Sequence, residues 1–263
     1  MLKTRALTAT VLLAGFVAAL FLLPDSGWIA FCAVVLGIAV WEWGALAALG
    51  TASRLVYAAL LVLLFLSPLA VERPGAGGFY APLWLYYASG VVWIFLAPLW
   101  IWRGRGVGGR AVLLGVGALA LVPACAAMVD LRSGHPGLLL GVLGTAWISD
   151  SAAYFVGRRF GRRKLAPSIS PGKTWEGVGG ALVAVALYAL AWAGVGEPRA
   201  AWLVPILLGL AVVGIIGDLF ESLIKRQAGV KDSGTLLPGH GGILDRIDAP
   251  VAMLPLAVLA FVR

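Results

Sequence analysis

Apolar runs of about 20 residues recur along the whole chain and constrain its fold more than any other feature. A transmembrane helix needs about 20 mainly apolar residues, and runs without two-residue alternation argue against strands. The chain has 61% hydrophobic and 12% charged residues, whereas soluble domains have about 45–50% and about 25%. The sequence therefore predicts an all-α polytopic integral membrane protein. Nine runs qualify, the last of them short: 6–23, 28–49, 54–71, 80–101, 111–129, 137–157, 177–195, 200–220 and 248–262.

The basic residues indicate which helix ends face the cytoplasm. With nine spans, one face receives all of the 20 Lys and Arg residues except Arg73, Arg132, Arg199 and Arg263. Cytoplasmic loops carry the excess of Lys and Arg, so the N-terminus is predicted to be cytoplasmic and the C-terminus external. Because the basic residues cluster in loops between apolar runs, we attribute the net charge of +8 to membrane topology and not to a nucleic-acid partner. We expect a multi-pass protein of the cell (inner) membrane.

Two regions follow from this topology. Residues 1–110 are predicted to contain N-terminal transmembrane helices only, with the first run retained as an anchor because no good cleavage site follows it. Residues 111–263 add two polar loops, 158–176 and 221–247, both on the cytoplasmic side. Cys32 and Cys125 lie inside apolar runs and are interpreted as small packing residues.

Glu42 is an acid within an apolar run, in the sequence Trp41-Glu42-Trp43, which we place in the middle of the second span. A charged group at the centre of a span costs about 2.5–3.5 kcal/mol, so Glu42 is expected to face the protein interior or to hold a partner. Two interpretations stay open. The acid forms a structural hydrogen bond to a neighbouring helix, or it lines a functional site.

The first polar loop carries groups that suit phosphate. Before it, Asp150, Tyr154 and Gly157 share one helix face at spacings of four and three. Within it, Gly172-Lys173-Thr174 resembles the end of a nucleotide-binding loop, but Ser168 stands where that loop needs a glycine, so the match fails. Ser170, Lys173 and Thr174 remain candidates for phosphate contact, since a helix start favours anions.

The second polar loop begins on a helix. If the eighth helix continues past its apolar part, one face carries five polar residues: Asp218, Glu221, Ser222, Lys225 and Arg226. Gly214 and Gly217 would let another helix or a ligand approach closely. Glycines and Pro238 then break the helix and present His240 with little cover. Asp245 and Asp248 follow at the start of the ninth span.

These residue types point to chemistry on phosphates. Mg²⁺ uses one or two carboxylates, with waters and substrate phosphates completing its shell, and Asp218, Asp245 and Asp248 are the candidate ligands. Zinc is not expected, because His240 is the only nearby histidine and no cysteine accompanies it. Phosphate oxygens can be neutralised by four cations, Lys225, Arg226, Lys231 and Arg246. Metal, cations and a flexible glycine-rich loop together favour phosphoryl or nucleotidyl transfer.

The same residues form a recognisable pattern. The stretch reads Ser222-x-Ile224-Lys225-Arg226-x4-Lys231-Asp232-x-Gly234-x2-Leu237-Pro238-x-His240-Gly241-Gly242-Ile243-x-Asp245-Arg246-Ile247-Asp248. It resembles the signature of the phosphatidate cytidylyltransferases (CDP-diacylglycerol synthases), without a departure at the fixed positions. The segments Asp150-x3-Tyr154-x2-Gly157, Ser170-Pro171-x-Lys173-Thr174-Trp175-Glu176-Gly177 and Trp41-Glu42 also resemble that family. The resemblance covers nearly the whole chain and is weakest in its first third.

The resemblance implies that CTP and phosphatidic acid give CDP-diacylglycerol and pyrophosphate with Mg²⁺, and it implies a monovalent cation such as K⁺ and a homodimer. It places Asp218 and Asp245 on the metal with Asp248 close by, and Ser170 and Lys173 in the same cavity. His240 would shape the loop or contact a phosphate. The other residues that it places in the site are Lys225, Arg226, Lys231, Asp232 and Arg246, with Asp150, Tyr154, Thr174 and Ser222 on the substrates.

Other functions remain open at this point. The same chemistry on a different lipid phosphate, such as an ether-linked acceptor, would use the same residues. An ion-coupled transporter would need inverted repeats with paired broken helices, and the sequence shows no internal repeat. A structural membrane subunit would leave the dense polar loop unexplained.

Overall fold

A computed structural model describes residues 2–67, 80–104, 106–194, 198–236 and 241–262. Within them the chain forms nine helices, and two short strands lie between the sixth and seventh. The helices are α1 (Leu2–Leu22), α2 (Asp25–Leu46), α3 (Thr51–Leu66), α4 (Leu83–Arg103), α5 (Arg110–Gly134), α6 (Pro136–Phe160), α7 (Trp175–Ala193), α8 (Ala200–Gln227) and α9 (Leu244–Phe261). The strands are β1 (Lys164–Ala166) and β2 (Ser170–Thr174).

Six of these helices are long and apolar enough to cross a membrane: α2, α4, α5, α6, α7 and α8. They match the predicted all-α polytopic architecture. The apolar part of α1 and the whole of α3 are shorter, and α9 carries three charged residues in its first turns. The number of nine spans and the sides of the two termini therefore stay predictions. The end of the predicted third span, at residue 71, lies outside the described residues.

The core forms where α2, α5 and α9 pack together. The indole of Trp43 on α2 donates a hydrogen bond to the Leu113 carbonyl of α5 at 2.9 Å. The hydroxyl of Tyr57 on α3 reaches the Leu114 carbonyl at 2.7 Å. Cys32 and Cys125 are both buried and unpaired, as expected of packing residues. These contacts tie the N-terminal helices to the helix that precedes the site-bearing half of the chain.

Helix α4 is not regular throughout, because a π-helical turn, Val92–Leu96, interrupts it. Trp93 in this turn packs edge-on against Phe220 of α8, with ring centroids 5.6 Å apart, and Trp100 stacks on the same ring at 5.8 Å. π-Turns inside helices commonly re-aim side chains at functional regions. Here the turn lets two indoles of α4 hold one buried ring of α8, next to the polar face of that helix.

Helices α8 and α9 cross closely at two glycines, as the sequence predicted. A Cβ atom on Gly217 would lie 2.7 Å from the Ala252 Cβ and 2.7 Å from the Asp248 carbonyl oxygen, and one on Gly214 would lie 2.7 Å from the Met253 sulfur. These spaces are too small for any side chain. The absence of side chains at both positions brings the polar end of α8 against the first turns of α9.

Both polar loops are more ordered than the sequence indicated. In the first, β1 and β2 form an antiparallel hairpin in which Lys164 pairs with Thr174 and Ala166 with Ser170. The sequence predicted a polar loop there, and the apolar runs were the reason for expecting no strands. The second loop is shorter than the predicted 221–247, since α8 continues to Gln227 and α9 begins at Leu244. Asp245 and Asp248 accordingly lie on α9 itself.

Candidate active site

The first pair of site residues joins the hairpin to α8. The ammonium group of Lys173 on β2 forms an ion pair with one carboxylate oxygen of Asp218, and the two side chains are 25% and 28% exposed. Ser222, one turn further along α8, donates to the other oxygen at 3.5 Å. The hairpin thus brings the predicted phosphate-binding lysine to the predicted metal-binding acid, although 45 residues of mostly helical chain separate them.

A second ion-pair group lies deeper, between α8 and α9. The Nζ atom of Lys225 is 2.6 Å from an oxygen of Asp245 and 3.2 Å from an oxygen of Glu221. All three side chains are at most 11% exposed. Lys225 was predicted to hold substrate phosphates, but here it neutralises two buried carboxylates. The sequence prediction left Glu221 out of the site, although its spacing of four from Lys225 placed it on the same face.

Asp245 organises the backbone around it. One oxygen accepts the Lys225 ammonium, and the other accepts the N–H of Ser233 at 2.9 Å, the hydroxyl of Ser233 at 3.0 Å and the N–H of Gly242 at 2.8 Å. Gly241 has φ of +81°, a conformation that favours glycine, and a Cβ there would lie 2.5 Å from the same carboxylate. Asp245 therefore fixes both ends of the connecting segment.

Glu42 reaches the same segment from α2. It lies four residues before the end of α2 at Leu46, so it is near the end of the helix and not in the middle of a span as predicted. Its buried carboxylate accepts the N–H groups of Ile243 and Leu244 at 3.0 and 2.9 Å and the hydroxyl of Ser233 at 3.0 Å. Both interpretations of Glu42 thus hold in part. It bonds to a neighbouring helix, and it lies at the edge of the site.

Acidic groups from three helices surround Asp218. Asp150 on α6 interacts electrostatically with Asp218 and with Lys173, and Asp248 on α9 interacts with Asp218, Glu221 and Asp150. One oxygen of Asp248 accepts the N–H of Ala249 at 2.8 Å. Asp150 is exposed on the helix surface. Lys173 and Lys225 form ion pairs with members of this cluster.

The fit to Mg²⁺ can be judged from these contacts. Among the described residues, no group of three His, Cys, Asp or Glu side chains is arranged to hold a metal. The predicted set of Asp218, Asp245 and Asp248 is therefore not a preformed cage, because hydrogen-bond donors occupy both oxygens of Asp245. Mg²⁺ needs only one or two carboxylates beside waters and phosphate oxygens. Asp218 and Asp248 are the carboxylates that would supply these ligands, and Asp218 would have to release Lys173 to do so.

The start of α7 is capped by its own chain. The hydroxyl of Thr174 accepts the N–H of Gly177 at 3.1 Å and is buried. The carboxylate of Glu176 accepts the backbone N–H groups of Arg162 at 3.0 Å and Arg163 at 3.2 Å. Thr174 is thus an N-cap of α7, and its phosphate contact stays a prediction. Ser170 pairs within the hairpin and is half-buried.

The remaining predicted site residues lie toward the surface. Arg226 donates to the carbonyls of Ile169 at 3.4 Å and Val230 at 3.3 Å, which joins the hairpin turn to the segment after α8. Tyr154 is exposed, and its hydroxyl accepts a hydrogen bond from Arg158 on the same helix at 3.0 Å. The other surface residues are Lys231, Asp232 and Arg246. His240 lies outside the described residues.

A cleft of about 480 Å³ borders the site on the side of α2 and α3. The guanidinium of Arg54 lies over the ring of Trp41, 5.5 Å from its centroid, and donates to the Leu49 carbonyl at 2.9 Å. Glu42 and Ser233, which hydrogen-bond to each other, also line the cleft. Its lining residues are Gly37, Ile38, Trp41, Glu42, Ala45, Arg54, Ser233, Gly234, Thr235 and Leu236.

Comparison with known proteins places the whole chain. The sequence profile of the Cytidylyltransferase family matches residues 3–262. The chain belongs to the cytidylyltransferase family. The chain is 40% identical over 262 residues to the phosphatidate cytidylyltransferase of Pseudomonas aeruginosa, covering 97% of this chain and 95% of the relative. It is 34% identical to that of Haemophilus influenzae, covering 97% and 96%.

A shorter match has a higher identity. Over 115 residues this cytidylyltransferase is 56% identical to the phosphatidate cytidylyltransferase of Brucella suis, covering 43% of this chain and 42% of the relative. Family membership confirms the resemblance inferred from the polar stretch 222–248. It also gives the paired lysines and acids around Asp218 a chemical context, the transfer of a cytidylyl group.

Proposed function

We propose that this cytidylyltransferase makes CDP-diacylglycerol and pyrophosphate from CTP and phosphatidate, for phospholipid biosynthesis. The observation that carries the proposal is the joining of Lys173 to Asp218 and of Lys225 to Asp245 at the ends of apolar helices. The chain that builds these pairs is related over nearly its full length to enzymes named for that reaction. One substrate is water-soluble and the other is anchored in the bilayer, so a polar site at the end of membrane helices serves both.

The reaction is a displacement at phosphorus. An oxygen of the phosphatidate phosphate attacks the α-phosphorus of CTP, a new P–O–P bond forms, and the bond from the α-phosphorus to the bridging oxygen breaks as pyrophosphate leaves. The nucleophile is already an anionic oxygen, so no base is needed to generate it. Catalysis of this type depends on positioning and on neutralising charge.

The residues divide between these two tasks. Lys173 lies at the partly exposed side of Asp218 and can move its ammonium from that carboxylate to a phosphate oxygen. Arg226, Lys231 and Arg246 are exposed and would bind the triphosphate. Lys225, held between two buried acids, keeps Asp245 in place. Mg²⁺ bound by Asp218 and Asp248 would neutralise charge on the phosphate oxygens, and a monovalent cation such as K⁺ would add to that.

The setting of the site is part of the proposal. We infer nine spans, with the N-terminus in the cytoplasm and the C-terminus outside, in the inner cell membrane. The site would then open to the cytoplasm, where CTP is found. A homodimer is proposed for the assembled enzyme, as the family resemblance implies.

Acceptor choice tests the proposal. Purified protein in lipid micelles is supplied with CTP and either a diacyl phosphatidate or an ether-linked analogue, and CDP-lipid and pyrophosphate are measured together. We expect both products in equal amounts, with the diacyl acceptor used more efficiently. Preference for the ether-linked acceptor would show that the enzyme acts on a different lipid phosphate. Absence of CDP-lipid with either acceptor would refute the function.

A further inference from the structure

Among the described residues, the polar end of α2 contacts the site through the carboxylate of Glu42. Glu42 is 5% exposed, and its three hydrogen-bond donors among the described residues belong to the segment between α8 and α9 or to the first turn of α9. Ser233 links it to the Asp245 oxygen that does not accept the Lys225 ammonium. An acid in this place can affect the reaction without touching a substrate.

We propose that Glu42 is a positioning residue of the transferase site, which holds Ser233 and the start of α9 so that Asp245 and Lys225 keep their places. The inference rests on the proposed function for the meaning of the site. Its structural part, the hold of α2 on the connecting segment, stands on the contacts alone.

A continuous set of polar contacts carries the argument from α2 to α8. The Ser233 hydroxyl lies 3.0 Å from an oxygen of Glu42 and 3.0 Å from an oxygen of Asp245, and Asp245 contacts Lys225 at 2.6 Å. A serine hydroxyl donates a single proton, so it serves one carboxylate at a time. Backbone N–H groups hold each acid continuously, and those groups belong to the same short segment. Displacing Glu42 therefore displaces the donors of Asp245.

The packing around Glu42 leaves the segment little freedom. A Cβ atom on Gly234 would lie 2.7 Å from a Glu42 oxygen, and one on Gly242 would overlap both Glu42 and the Ser233 hydroxyl. These two glycines let the backbone close around a carboxylate of α2, which is why the segment follows that carboxylate.

Replacement by glutamine tests the hold with a minimal change of shape. In Glu42→Gln an NH₂ group replaces one oxygen and faces a backbone N–H of Ile243 or Leu244, so two donors oppose each other. Loss of a group that supports a catalytic ligand typically lowers activity about 10- to 100-fold, and we expect a loss of that size in kcat. The KM values for CTP and phosphatidate should change by less, because the Glu42 carboxylate is buried and its oxygens accept backbone N–H groups.

A matched control comes from another buried acid. Asp130 on α5 is 3% exposed and accepts the Tyr80 N–H and the Tyr86 hydroxyl, away from the site. Asp130→Asn should lower thermal stability and leave kcat per folded molecule unchanged. Glu42→Asp, which keeps both oxygens but is one methylene shorter, should fall between wild type and Glu42→Gln.

The experiment measures kinetics and amide hydrogen exchange on the full-length purified protein and the three variants. We expect Glu42→Gln to lower kcat and to speed exchange in peptides covering residues 228–247, with Asp130→Asn changing neither. Wild-type kcat in Glu42→Gln would overturn the positioning role, even if exchange were faster. An equal loss of kcat in Asp130→Asn would reduce the effect to general destabilisation and overturn it as well.

Failure of the proposed function would look different. If wild type made no CDP-lipid, that function would fall, and the exchange data would still decide whether Glu42 holds the segment. Unchanged exchange in Glu42→Gln would refute the hold itself. A double variant, Glu42→Gln with Ser233→Ala, adds a check. The two losses in kcat should combine to less than their product, because both residues act through the same contact.

Discussion

Removing the cation between the two buried acids should be the most damaging single change near the site. Lys225 lies 2.6 Å from Asp245 and 3.2 Å from Glu221, and all three side chains are nearly buried. Lys225→Met keeps the volume of the side chain but leaves two carboxylates facing each other without a counter-charge. Removing one partner of a buried ion pair costs about 3–5 kcal/mol. At about 2–4 °C for each kcal/mol in a protein of this size, Tm should fall by about 6–20 °C.

The neighbouring cation provides the control. Arg226 is exposed and contacts only two backbone carbonyls at 3.3 and 3.4 Å among the described residues, so Arg226→Met should cost about 1 kcal/mol. Thermal unfolding of both variants in the same detergent gives the comparison. Adding Glu221→Gln to Lys225→Met should restore part of the loss, because one of the opposed charges is removed. Equal Tm values for the Lys225 and Arg226 variants would refute a buried charge cluster at this position.

Three further changes test separate parts of the structure. Gly217→Ala should destabilise the α8–α9 crossing by about 1–3 kcal/mol, because the added Cβ would lie 2.7 Å from atoms of α9. A Cβ on Gly209 of the same helix meets nothing within 4 Å, so Gly209→Ala should be neutral or slightly stabilising. Equal Tm values for the two variants would contradict this packing. Lys173→Gln should raise KM for CTP about tenfold, measured by steady-state kinetics, and an unchanged KM would separate Lys173 from the nucleotide. Thr235→Cys should react with a membrane-impermeant maleimide from the cytoplasmic side only, and labelling from outside would invert the proposed topology. Both native cysteines are buried, so the label reports the introduced thiol.

The helical architecture could be read from the sequence because membrane helices have a length and composition that few other elements share. Helices such as α5 and α8 lie close to their predicted positions, and Gly214 and Gly217 correctly predicted the close crossing of α8 with another helix. The ends of the helices were predicted less accurately. Helix α9 starts before its apolar part, at Leu244, because Glu42 accepts the N–H groups of Ile243 and Leu244 from a different helix.

The residues of the site were easier to find than their contacts. Spacing placed Asp218, Glu221 and Lys225 on one face of the helix, but it could not show that Lys225 would form ion pairs with two buried carboxylates. Nor could it show that Thr174 would cap α7. Such pairings depend on how helices and hairpin pack, and that information is long-range. The hairpin itself was missed because its strands of three and five residues are held by contacts with α6, α7 and α8 and not by a local pattern.

The fate of individual phosphates tests the central claim most directly. Purified protein is given phosphatidate and CTP labelled either at the α-phosphate or at the γ-phosphate, and the lipid and aqueous phases are counted. The account predicts α-label in the lipid, γ-label in aqueous pyrophosphate, and neither transfer in folded Asp218→Asn. Appearance of γ-label in the lipid, or wild-type turnover by Asp218→Asn, would contradict it.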